Sequence, residues 1–208
     1  MGHIIVAESL GYDTELHYGS MSFDTSALND KLDSIYVKNR YQIENDLPYE
    51  QKKQFDETFA KLVNEGVLVT LGGPIQTIFT GITGLIILFV RRKKIQEQGL
   101  KLPDWLAVFL SLFWLREVFN LFHSIIFELI YKEENYFGGD ERYISEYFGL
   151  GSGTLPIILG ITGLLISLLV IFKVLPGKLQ FPFILSGLKG GISGFIFWFE
   201  FLGPVLLP

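Results

Sequence analysis

Six polar side chains crowd into one otherwise apolar stretch, and chemistry is first to be sought there. Between Asp104 and Tyr131 stand Arg116, Glu117, Asn120, His123, Ser124 and Glu128. At helical spacing, Arg116, Asn120 and His123 fall within about 60° of one another. Glu117, Ser124 and Glu128 fall within about 40° on the adjoining arc, and the opposite face is Leu, Phe and Trp. An ionisable group near the centre of a membrane helix costs roughly 2.5–3.5 kcal/mol, so this stripe turns towards a partner or a wet cavity. Two uses are open: an ion, proton or catalytic site, or an internal network. In the network, Arg116 pairs with a carboxylate while Asn120 or His123 bonds backbone carbonyls. Lys189 and Glu200, in the last apolar stretch, are candidate partners for Glu117 and Arg116.

Two further places hold usable groups. In Gly138-Gly139-Asp140-Glu141 the glycines let the backbone turn sharply and present a carboxylate, either to a metal or as the N-cap of a helix through Ile144 and Tyr147. At the start, His3, Ala7 and Gly11 recur every four residues, hence on one helix face. A His followed by small residues suits a site packed closely against a neighbour.

The elements that must position these groups are mostly apolar. Of 208 residues, 49% are hydrophobic and only 19% charged, below the roughly 25% of soluble domains. Mean hydropathy is +0.37. There is no cysteine, which excludes disulfides, thiolate metal sites and a Cys nucleophile. A net charge of −5 leaves no basic footprint for nucleic acid. The sequence predicts an all-α polytopic membrane protein, a multi-pass chain embedded in a lipid bilayer. About four transmembrane helices are expected, near residues 67–90, 104–131, 154–172 and 181–208. Pro182, Pro204 and a glycine cluster leave the fourth open to being broken or re-entrant. Residues 12–66 form a polar extramembrane segment, with a short strand or hairpin between Glu15 and Phe23. Pro48 starts an amphipathic helix with Phe55, Phe59, Leu62 and Val63 on one face, and Gly66 ends it.

Gly81-Ile82-Thr83-Gly84-Leu85 recurs as Gly160-Ile161-Thr162-Gly163-Leu164. Either the bundle is an internal duplication, or two helices each use small residues to pack closely. Gly187 with Gly191 and Gly190 with Gly194 read the second way. The 91–103 loop holds five basic residues against one acid, and the 132–153 loop two against five. The positive-inside rule makes the first cytoplasmic and the second external. The polar 12–66 segment is then external as well, which points to a span upstream of Met1, with residues 1–11 the tail of a truncated helix.

The first eleven residues resemble the tail of the active-site helix of the site-2 protease family of intramembrane zinc metalloproteases. Their pattern runs H-E-x-x-H-x-x-x-A-x-x-x-G, and His3, Ala7 and Gly11 match its last three positions. A polar segment with a strand follows, then Gly72-Gly73-Pro74 opening a helix. The resemblance implies zinc held by His3 and Asp140, and peptide bonds of a membrane-protein substrate cleaved in or near the bilayer. The first His and the general-base Glu of the pattern would lie ahead of Gly2, where this chain has Met1. It is expected to be a fragment or an inactive relative, catalytically empty as written. The competing reading is a non-enzymatic transporter-like or partner-binding bundle, with Arg116, Glu117, Asn120, His123 and Glu128 as its polar pathway.

Overall fold

The computed structural model describes residues 1–131 and 137–207, with the side chains of Glu128 and Tyr131 outside that description. The chain is mostly helical with one small hairpin. Helix α1 (Gly2–Ser9) ends just before Gly11, whose φ of +87° turns the chain into the hairpin. Its strands, β1 (Thr14–Leu16) and β2 (Met21–Phe23), pair antiparallel, with Thr14 opposite Phe23 and Leu16 opposite Met21. Helix α2 (Ser26–Glu44) follows, and then α3 (Lys52–Gln98), 47 residues without a break.

Here the expected boundary at Gly66 fails. The amphipathic helix starts at Lys52 rather than at Pro48 and runs straight on through the first apolar stretch. A helix-interior glycine costs only about 1 kcal/mol against alanine, and nothing at Gly66 demands a left-handed backbone. Gly72, Gly73 and Pro74 likewise lie inside α3 instead of opening a helix, and all three are buried.

The remaining elements are α4 (Leu102–Ser111), a tight turn at Leu112–Trp114, α5 (Leu115–Tyr131), α6 (Asp140–Tyr147) and α7 (Thr154–Leu169), which a wider turn at Val170–Val174 continues. Helix α8 (Gly177–Ile196) passes unbroken through Pro182, and the wide turn Phe197–Leu202 leads into α9 (Gly203–Leu206). Four stretches are long and apolar enough to cross a membrane: Lys52–Gln98, Leu102–Phe127, Thr154–Val174 and Gly177–Leu206.

Glycines set how closely these helices pack. A Cβ at Gly81 would overlap Trp114, and one at Gly84 would overlap Ser111 and the Ala107 carbonyl. Gly160 and Gly163 do the same against Leu121, Val118 and the Trp114 backbone. The two Gly-Ile-Thr-Gly segments are thus close-packing seats, α3 on α4 and α7 on α5. The glycines of α8 are not: among the described residues nothing lies within 4 Å of a Cβ added at Gly187, Gly190, Gly191 or Gly194. No residue of α8 is buried, and Lys189 and Glu200 are exposed without an ion-pair partner among the described residues. Neither reaches Glu117 or Arg116. The apolar core gathers around Leu88, Ala107, Val108, Val170 and Leu175.

Candidate functional site

Helix α1 crosses α3 where both are reduced to backbone. A Cβ at Gly2 would overlap the Gly72 carbonyl, and one at Gly72 would meet the Gly2 backbone. The Gly2 N–H donates to Gln76 Oε1. One residue along each helix, His3 lies over Gly73. Here Pro74 lacks an N–H and leaves the carbonyl four residues back without its helical donor. The neighbouring carbonyl, Val69 O, accepts from His3 Nδ1 at 2.8 Å.

That bond fixes the imidazole chemically. A carbonyl oxygen can only accept, so Nδ1 carries the hydrogen, and in neutral His3 the Nε2 lone pair is left facing outward. What it faces is Asp140 Oδ2, 3.1 Å away, across 137 positions of sequence. Two lone pairs at that distance require a proton or a cation between them. Two donors on one tetrahedral zinc ion, each about 2.0–2.1 Å from it, are separated by about 3.3 Å. The pair therefore fits two positions of such a set. Among the described residues no third His, Asp or Glu joins them.

Asp140 reaches this point because Gly139, at φ +81°, reverses the chain into α6. Gly139, not Asp140, is the N-cap, so the capping role read from the sequence does not hold. Asp140 is the first helical residue, and its carboxylate is used sideways. Oδ2 also accepts from Arg116 NH2 at 2.8 Å, while Arg116 NH1 donates to Thr77 Oγ1 at 2.9 Å. Burial pushes the Asp140 carboxyl up, but His3 and Arg116 outweigh it and hold the group below the usual carboxylate range.

The polar stripe of α5 splits. Glu117 is 1% exposed and its carboxyl lies against that of Glu141, also 1% exposed. Among the described residues Oε1 of each has no hydrogen-bond partner, and that of Glu141 lies 3.9 Å from Arg116 NH2. Asn120 Nδ2 reaches Glu141 Oε2 at 3.4 Å, and buried Ser124 bonds the Asn120 carbonyl. His123 departs from expectation: it is exposed, its ring between those of Phe119 and Phe127 at 5.9 and 4.4 Å. The side chain of Glu128 falls outside the described residues.

His3, Arg116, Asn120 and Asp140 line a cavity of about 640 Å³, walled on one side by the β1–β2 hairpin and by Phe199. Two residues that hold the site, Val69 and Thr77, carry no signal in the sequence. Both act through atoms that many residue types would supply, one a backbone carbonyl and the other a hydroxyl. Comparison of the chain with protein-family models, with curated proteins and with solved structures found no match.

Proposed function

We propose that this chain is a multi-pass membrane protein of the site-2-protease type, with His3 and Asp140 as two ligands of a zinc ion. The observation that carries the reading is the tautomer-locked His3 Nε2 aimed at Asp140 Oδ2, 3.1 Å away, with both residues lining a cavity. Zinc supplies Lewis acidity and activates water at neutral pH. The chain's own groups do the rest. Val69 orients the imidazole, and Arg116, braced by Thr77, positions Asp140. The hairpin at the cavity wall offers strand edges to an extended peptide. His3 and Asp140 are two donors of the four that a tetrahedral zinc site uses, so metal held by this pair alone binds weakly.

A second reading, a transporter-like or partner-binding bundle, draws on the buried carboxyls of Glu117 and Glu141, whose Oε1 atoms accept no hydrogen bond among the described residues. Cobalt titration of the purified chain in detergent, read by visible absorption, separates the two. His3→Ala and Asp140→Asn should each weaken binding roughly tenfold or more, while Glu117→Gln leaves it unchanged. Equal binding in all variants sinks the zinc reading. Loss confined to Glu117→Gln transfers the weight to the second.

A further inference from the structure

At the end of the bundle where the basic residues gather lies a second pocket, of about 310 Å³. Helix α3 leaves its apolar stretch through Arg91-Arg92-Lys93-Lys94. Arg91 is already engaged: its guanidinium pairs with Asp104, which is buried and also accepts from the Lys101 backbone N–H at 2.8 Å. Arg92 is not. It is exposed, its guanidinium stands 4.6 Å over the Phe89 ring, and no carboxylate pairs with it among the described residues. Lys173, in the turn that continues α7, is likewise exposed and without an ion-pair partner there. Arg92, Lys173 and the amide of Gln96 line the pocket, whose wall is otherwise apolar: Ile95, Leu175 and Pro176 among it. No carboxylate lines it among the described residues.

Two cations without an ion-pair partner among the described residues stand over an apolar wall where α3 and the turn that continues α7 end together, and that pairing of charge with apolar surface suits one chemistry. We infer that this pocket binds the phosphate headgroup of an anionic phospholipid, with Arg92 and Lys173 on the phosphate and the apolar wall against the first carbons of the chain. The inference rests on the multi-pass membrane reading. The positive-inside rule puts this end on the cytoplasmic side, the leaflet that carries anionic lipid. Within the basic run, Lys93 and Lys94 are equally charged but do not line the pocket, so they serve as the control.

The test is thermal unfolding of the purified chain in a neutral detergent, titrated with phosphatidylglycerol, phosphatidylcholine or inorganic phosphate at constant ionic strength. Phosphatidylglycerol should raise Tm saturably, and the other two should not. Each cation near an anionic lipid surface contributes about fivefold in affinity. The double variant Arg92→Gln/Lys173→Gln should then weaken the titration by on the order of 20-fold, and Lys93→Gln/Lys94→Gln should leave it in place. Should the double variant fail to fold, Arg92→Gln alone carries the test with about a fivefold loss. Equal loss in both doubles means diffuse attraction and overturns the site. Saturation by inorganic phosphate overturns the lipid source, and no shift with phosphatidylglycerol overturns the proposal outright. Flotation with phosphatidylcholine vesicles is read in parallel. A chain that does not float overturns the membrane reading itself, whereas one that floats without preferring phosphatidylglycerol overturns this site alone.

Discussion

Gly73 has no side chain, and the imidazole of His3 fills the space one would take. An added Cβ would overlap His3 Nε2 and come within 2.8 Å of Asp140 Oδ2. Both contacts are held from behind, His3 by the Val69 carbonyl and Asp140 by Arg116, so neither can retreat without breaking a hydrogen bond. Gly73→Ala should destabilise the protein by about 1–3 kcal/mol, the usual cost of overpacking, and separate His3 from Asp140. Gly66→Ala is the counterpart. It lies in the same helix with open space around it, and should stabilise by about 0.5–1 kcal/mol. Thermal melts of the two variants in one detergent check the sign of each.

Arg116 and His123 share a stripe in sequence and part company in space. Arg116→Ala removes two hydrogen bonds, to Thr77 and Asp140. Because its side chain is 37% exposed, the loss should be near 1–2 kcal/mol rather than the larger cost of a fully buried ion. His123→Ala removes an exposed ring that packs beside two phenylalanines and should stay within about 0.5 kcal/mol. Chemical unfolding of both variants decides, and equal effects would mean that both residues face inward after all.

That split marks how far the sequence could be read. Helical arithmetic places six polar residues on less than half of α5, but not which part of the arc meets the protein. The buried direction runs through Glu117 and Ser124. His123 lies about 100–120° from it, too far for a short side chain, whereas Arg116, nearly as far round, is long enough to reach back. The four apolar stretches were legible because length and hydropathy suffice for them. The Gly66 boundary was not, because a glycine permits a helix end without requiring one. Small-residue spacing has the same ambiguity. Gly81 and Gly160 seat a neighbouring helix, while at Gly187, Gly190, Gly191 and Gly194 no described residue comes within 4 Å of an added Cβ, since only the partner's position distinguishes the two. In the sequence only the resemblance to a family pattern links His3 with Asp140, as no local rule couples residues so far apart.

The polar segment carries its own pH dependence. The Tyr12 hydroxyl donates to Glu65 Oε2. Burial, followed by that hydrogen bond and the Glu65 charge, pushes the phenol up to about 12. An unfolded tyrosine titrates near 10. The folded state therefore holds the proton more tightly, and the stability this supplies is complete below pH 10 and lost as pH rises towards 12. Tyr12→Phe should cost stability at neutral pH and flatten the decline between pH 10 and 12. Denaturant melts at stepped pH report both, and a decline of unchanged steepness in Tyr12→Phe would remove Tyr12 as its cause.

Orientation ties the two ends of the protein together, and the absence of cysteine makes it measurable. Asn29 sits exposed on α2 and Gln96 exposed near the end of α3. If the basic 91–103 loop is cytoplasmic, the polar segment and the hairpin wall of the His3 cavity belong to the external side. A membrane-impermeant maleimide should then label Asn29→Cys in intact cells and Gln96→Cys only after permeabilisation. The reverse pattern would invert the protein, moving the Arg92–Lys173 pocket to the external leaflet, away from the anionic lipid that motivates it. Labelling of both positions in intact cells is incompatible with either orientation of a helix that crosses the bilayer between them, and would remove α3 from the membrane.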